Sequence, residues 1–264
     1  MYDFNYHRPS SVEEAVQLVK SAEDGTFLAG GHTLIPTLKQ RLASPTDVVD
    51  LGTMDIGGIT VSDGSVTIGA GATHAAVASS SDVKGANAAL ADLASHIGDP
   101  HVRARGTIGG SVANNDPAAD YPAACMALSA TIHTNEREIA ADDFFTGMFE
   151  TALNDGELIT SVSFPGADKA AYAKFANPAS RYAMVGVFVA QTSSGVRVAV
   201  TGAGPGVFRV ADMEAALGGD FSSAAIKDIQ VSADGLNSDI HASADYRAHL
   251  VNVMARRAVD AANG

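Results

Sequence analysis

Two pairs of adjacent glycines are the residues from which chemistry can be argued. Gly109 and Gly110 lie in Thr107-Ile108-Gly109-Gly110-Ser111, with Arg103 and Arg105 before them and a run of small polar residues to Asp120 after them. Gly30 and Gly31 lie in Leu28-Ala29-Gly30-Gly31-His32-Thr33-Leu34, where the apolar run Thr26–Ala29 stops. Glycine lets backbone approach a ligand closely and reaches φ values that other residues reach only with strain. Successive backbone N–H groups in such a turn form a concave nest for anions. Two Gly-rich turns with hydroxyl neighbours can hold the two halves of a pyrophosphate. Neither pair has the G-x-G-x-x-G spacing of a Rossmann fingerprint, and no Walker A sequence is present. Gly202-Ala-Gly-Pro-Gly206 reads as a loop after a strand.

Other side chains add little chemistry of their own. Asp120, just before Tyr121-Pro122, either caps the helix that follows or accepts a hydrogen bond from a ribose or ring nitrogen. His32, His96 and His101 have no second histidine at helical spacing, so no metal site is expected. Cys125 is the single cysteine, which leaves no disulfide framework and no Cys-ligated cluster within this chain. Set in Pro-Ala-Ala-Cys-Met-Ala-Leu, it reads as a buried small residue. A cofactor cradle without an acid–base signature points to chemistry carried by the cofactor.

Composition narrows the class. The chain has 264 residues, 46% of them hydrophobic and 18% charged, which describes a globular protein of more than one domain. A formal charge of −13 argues against nucleic acid and anionic membranes as partners. With an unfavourable overall field, a bound phosphate must be held by local backbone donors. No apolar run reaches the length of a spanning helix, and the N-terminus has no export pattern, so a soluble cytoplasmic protein is expected.

The elements that must position these residues follow from periodicity. Ser10 or Ser11 with Glu13 or Glu14 forms a capping box ahead of a helix to about Ser21. Thr26–Ala29 and Val48–Leu51 read as strands around a helix with Leu34, Leu38 and Leu42 on one face, so residues 1–55 form a small α/β unit. Asp63-Gly64 marks a hairpin between Ile59–Val61 and Val66–Ile68. One helix is expected over Val83–Ile97, another over Ala118–Leu128, then extended segments at Ala130–Ile132 and Val162–Phe164. Beyond a boundary near Gly166–Asp168, three strands (Tyr172–Ala176, Ala183–Thr192, Val196–Gly202) precede two helices (Val210–Leu217, Ala244–Ala261). That order predicts an antiparallel sheet covered on one face.

With those residues in view, the whole chain resembles the FAD-binding medium subunit of the molybdenum hydroxylases, the aerobic carbon monoxide dehydrogenase and xanthine dehydrogenase relatives. Ala29-Gly-Gly-His-Thr33 and the following Lys39-Gln-Arg41 resemble the family's first pyrophosphate loop and helix. Val102 to Ser111 and Asp116 to Asp120 resemble the second. Thr151-Ala-Leu, Glu157-Leu-Ile159 and Pro165 match the end of the FAD domain, and Tyr246-Arg247 with Arg256-Arg257-Ala258 the C-terminal signature. The resemblance implies an α+β fold. A two-subdomain FAD-binding domain of the vanillyl-alcohol-oxidase (PCMH) type would span residues 1–167, divided near 55, and a small α+β domain residues 168–264.

The same resemblance implies non-covalent FAD, with its pyrophosphate between Ala29–Leu34 and Thr107–Ser111 and a flavin contact at Asp120. Ile97, Ile159 and Lys174 fall at FAD-contacting positions, and Tyr182 near the isoalloxazine ring. Pro178-Ala-Ser-Arg-Tyr182 departs from the family in lacking an acidic residue before the aromatic. His32 stands where some flavoproteins with a similar loop carry a covalent link. The implied role is electron transfer, from [2Fe–2S] clusters on a small subunit to FAD and on to an external acceptor. A large subunit would carry the molybdenum cofactor, in a dimer of heterotrimers. Arg103 and Arg105 would bind phosphate, dock the iron–sulfur partner or simply face solvent. The rival readings are a free-standing FAD-dependent oxidoreductase with its own substrate, and a binding module that has lost FAD.

Overall fold

The computed structural model describes residues 1–264, and its sheets divide the chain into three units. The first holds β1 (Asn5–His7), α1 (Val12–Ser21), β2 (Gly25–Leu28), α2 (Leu34–Lys39) and β3 (Asp47–Asp50). Its strands are parallel, in the order β1-β3-β2. α1 starts as its capping box predicts. The Ser11 hydroxyl accepts from the Glu14 N–H, and the Glu14 carboxylate accepts from the Ser10 N–H at 2.7 Å. The helix buries Ala15 and Val19 against Val49 and Leu51. α2 is shorter than predicted. Arg41 turns into the left-handed region at φ 60°, so Leu42 leaves the helical face and is exposed, while Leu38 is buried.

The second unit begins with β4 (Ile59–Ser62), β5 (Ser65–Gly69), α3 (His74–Ser79), α4 (Ser81–Ala86), α5 (Ala88–Ser95), α6 (Pro100–Arg105), α7 (Ile108–Asn114) and α8 (Tyr121–Ala127). It continues with β6 (Thr131–Thr134), β7 (Glu138–Ala140), α9 (Ala141–Phe144), β8 (Phe145–Gly147), β9 (Glu150–Thr151) and β10 (Ile159–Phe164). The main sheet is antiparallel, in the order β4-β5-β10-β6-β7. Asp63 and Gly64 both have positive φ, as a two-residue hairpin turn requires. The single helix predicted over Val83–Ile97 is two. Asn87 is extended, ends α4, and accepts from the Leu90 N–H to start α5. An asparagine side chain that can cap competes with helix continuation, and here it wins.

The third unit holds β11 (Lys169–Ala176), β12 (Ala183–Thr192), β13 (Gly195–Thr201), β14 (Phe208–Arg209), α10 (Ala211–Gly219) and α11 (Ala244–Asn263), with the strands antiparallel in chain order. The two helices pack on Val185, Val187, Val189, Val198 and Val200. The sheet is covered on both faces, not on one as predicted. Tyr172, Phe188, Ala190 and Ala199 point the other way, into the core of the second unit. Ala183–Ala190 carries no charged or hydroxyl side chain, the continuous pattern of a strand buried on both sides. Arg247, from the C-terminal signature, is buried on α11 and donates to the Met184 and Gly202 carbonyls and to Asp239. It fastens that helix to the sheet.

Candidate cofactor site

A cavity of about 760 Å³ lies where the three units meet. That volume is in the range of small-molecule and cofactor sites. The first unit contributes the glycine loop after β2. The second contributes Ala70–His74, Ile97, the segment from Arg105 to Asp120 and Leu153–Ile159, and the third contributes Ser180–Tyr182. Ala29, Gly30, Gly31, His32, Thr33, Leu34, Ile97, Thr107, Gly109, Gly110, Ser111, Asp120, Ile159 and Tyr182 all line this one space. Leu28, Ile108 and Lys174 do not. Leu28 ends β2, Ile108 is fully buried, and Lys174 stands behind Asp120.

The two glycine pairs are built differently. Gly31 has φ +74° and turns the chain from β2 into α2. The N–H groups of Gly30, Gly31, His32 and Thr33 have no hydrogen-bond partner within the chain. They are available to an anion, as the nest argument expects. Gly109 and Gly110, expected in a turn, instead lie in the first turn of α7, and their donors are taken. Ile108 N–H donates to Ala72 O, Gly109 N–H to Ala70 O at 2.9 Å, and Gly110 N–H to the Thr107 hydroxyl at 3.1 Å. The second pair is thus no nest. A Cβ on Gly109 would meet Ala70 Cβ at 2.5 Å, so glycine there lets α7 sit against the β5 end.

The segments that carry the two pairs also touch one another, and a Cβ on Gly110 would stand 3.7 Å from Ala29 Cβ. A Cβ on Gly30 would stand 2.1 Å from Arg105 O and 2.8 Å from Gly106 Cα. Backbone cannot yield as a flexible side chain can, so Gly30 is what brings the first loop against the α6–α7 junction. Ser111 leaves its hydroxyl unpaired at the wall of the resulting cleft.

Asp120 occupies the N-cap position of α8 but makes no capping bond, which corrects the cap reading. Its carboxylate, 4% exposed, accepts from Tyr172 OH at 2.5 Å and from Lys174 Nζ at 2.9 and 3.0 Å. Burial pushes this carboxyl up, and the Lys174 ammonium and the Tyr172 hydroxyl pull it back toward the charged form. Lys174 also donates to the His96 carbonyl.

Sequence reasoning missed His74 and gave Arg103 no settled role. His74 is buried against Gly106, and its backbone N–H donates to Gly106 O. Burial, with lesser contributions from His32 and Arg103, pushes the imidazole down to about 4, so it is neutral at physiological pH. A lone histidine after a threonine carries no local signal for this placement. Arg103 donates to the carbonyls of Ile97 and Gly98, holding the turn between α5 and α6. Glu157 lines the cavity and is missing from the expected set of contacts. Burial would raise it, but the two-pronged Arg137 guanidinium, the Asn154 N–H and the Thr134 hydroxyl outweigh that and hold it at about 2. Its network fixes the Asn154–Leu158 wall.

The cleft therefore offers unpaired backbone donors at one loop, buried polar groups at Asp120 and Glu157, and an apolar wall at Ile97 and Ile159. FAD fits that set. Its pyrophosphate would be held at Gly30–Thr33 without help from a favourable net charge, and bound there it supplies a ring that takes up and releases electrons.

Comparison with known proteins supports FAD as the cofactor. Residues 2–167 match the FAD binding domain in molybdopterin dehydrogenase, and residues 170–262 the CO dehydrogenase flavoprotein C-terminal domain. The nicotine 6-hydroxylase medium subunit of Paenarthrobacter nicotinovorans is 36% identical, over 96% of this chain and 95% of its own. The carbon monoxide dehydrogenase medium chain of Afipia carboxidovorans is 34% identical, over 98% and 96%. A solved chain of the reconstituted CO dehydrogenase from Oligotropha carboxidovorans superposes with a TM-score of 0.89 at 33% identity, covering 98% of this chain and 97% of that one. The chain belongs to the FAD-binding flavoprotein family of the molybdopterin dehydrogenases, and is an FAD-dependent oxidoreductase subunit of that family.

Proposed function

We propose that this chain is the electron-transfer subunit of a molybdenum hydroxylase complex. Electrons released at a molybdenum cofactor on a large subunit reach FAD through the [2Fe–2S] clusters of a small subunit. From FAD they leave to an external acceptor. Three chains form one unit, and two units pair, in the cytoplasm. The observation that carries this reading is the cleft itself: three units converge on one cofactor-sized space, with the unpaired N–H groups of Gly30–Thr33 on its wall. The relatives' names, medium subunit and medium chain, support an assembly with larger and smaller partners.

This chain's own residues then have limited tasks. Gly30–Thr33 bind the pyrophosphate, and Ser111 adds a hydroxyl from the facing first turn of α7. Asp120 contacts the flavin, Ile97 and Ile159 exclude water from it, and Tyr182 stands beside the ring. His32 is exposed and binds non-covalently through its backbone. The substrate is selected on another polypeptide.

Native purification in mild salt, with the visible spectrum and subunit pattern recorded together, tests this. Flavin and iron–sulfur absorbance with two co-purifying chains is expected. Flavin on a lone chain that turns over a substrate by itself would replace this reading with a free-standing oxidoreductase.

A further inference from the structure

The segment that carries Asp120 is held from the third unit. Thr201 Oγ1 on β13 donates to the carbonyls of Pro117 at 3.0 Å and Ala119 at 2.6 Å. Gly202 N–H donates to Pro117 O at 2.8 Å. On β11, Tyr172 and Lys174 both reach the Asp120 carboxylate. The Tyr172 ring packs near Phe188, with its hydroxyl over Gly186, where a Cβ would stand 2.2 Å from the oxygen. Tyr172 lies outside the cavity wall, whereas Asp120 lies on it.

We propose that Tyr172 is a positioning residue for the flavin site: its hydroxyl fixes the Asp120 carboxylate on the cavity wall, so that the C-terminal domain sets how tightly the flavin is held. The inference rests on the reading of the cleft as the FAD site. Lys174 supplies charge, but its ammonium can donate in several directions and is shared with the His96 carbonyl. The phenol has a single O–H on a buried ring held beside Phe188 and over Gly186, so it adds a directed donor that the ammonium does not supply. The other groups facing Asp120 are His96 at the end of α5, Tyr121 on α8 and Tyr182 from the third unit, which Asp116 also faces.

A double-mutant cycle on the purified full chain, with FAD as titrant, tests this. Tyr172→Phe removes one oxygen and keeps the ring. It is expected to weaken FAD binding about tenfold, the scale of a hydrogen bond to a charged group. In an Asp120→Ala background, which leaves the phenol no side-chain acceptor at that position, the same change is expected to have little effect. Equal weakening in both backgrounds would overturn the proposal, because Tyr172 would then act through the fold and not through Asp120. The pH profile of FAD affinity gives an independent readout. Without the phenol the charged form of Asp120 loses a donor, so affinity is expected to fall at a higher pH in Tyr172→Phe than in wild type. An unchanged profile contradicts the proposal. If Tyr172→Phe fails to fold, Thr201→Val tests the same grip from β13: weaker FAD binding is expected, and wild-type affinity would overturn it. Wild-type protein that binds no FAD would sink the flavin reading itself. Wild-type binding with an unaltered Tyr172→Phe variant would sink only this inference.

Discussion

The two glycine pairs look alike as sequence and do opposite jobs. Gly30-Gly31 frees backbone donors, since four consecutive N–H groups there have no partner. Gly109-Gly110 consumes them, since the first turn of α7 is bonded to Ala70, Ala72 and Thr107. One pair leaves unpaired donors on the cavity wall. The other removes side chains so that α7 can press against the end of β5 and face the first loop. A glycine-rich stretch is therefore only half of a phosphate-binding argument. The other half is whether the exposed amides remain unpaired, and that depends on what packs beside them.

Substitutions can break this contrast. The largest effect is expected from Gly30→Val, whose added atoms meet Arg105 O and Gly106 Cα. Separating the loops should cost FAD affinity about a hundredfold, the upper end of what overpacking does. Titration of the folded variant with FAD checks it, and near wild-type affinity would show that the loops need not touch. Gly109→Val should act on the apo chain instead, lowering stability by about 1–3 kcal/mol through its clash with Ala70. Urea midpoints without FAD provide the measurement, and an unchanged midpoint would contradict the packing role. Thr107→Val removes the cap on Gly110 N–H and should cost about 1 kcal/mol in the same assay.

His74 sharpens the contrast through pH. Its folded value of about 4 lies below the usual 6.5, so between those values the unfolded chain binds the proton and the folded chain does not. Its contribution to stability is complete above pH 6.5 and is lost as pH falls toward 4. Urea midpoints across that window should slope downward on acidification, and His74→Leu should flatten the slope. An equal slope in the variant would mean that the imidazole titrates freely beside Gly106.

Much of this was legible. The capping box at Ser10–Glu14, the Asp63-Gly64 hairpin and the strands and helices after residue 168 follow from short-range patterns, and they stand where those patterns put them. The family itself was legible in the motif around Gly109-Gly110. What escaped depended on distant contacts. Whether Val83–Ile97 is one helix turned on whether Asn87 would cap. The donors of α7 are claimed by Ala70 and Ala72, far away in sequence. Asp120 is not a cap because Tyr172 and Lys174 arrive from another unit. The two-sided burial of β12 was visible in its unbroken apolar run, and an expectation of one covered face overlooked it.

Amide hydrogen exchange of the full chain, with and without FAD, tests the contrast most directly. Gly30–Thr33 amides are expected to exchange freely in the apo protein and to become protected when FAD binds. Ile108–Gly110 amides are expected to be protected already, with little further change. Protection gained at Gly109 and Gly110, with none at Gly30–Thr33, would reverse the roles of the two loops and contradict the account.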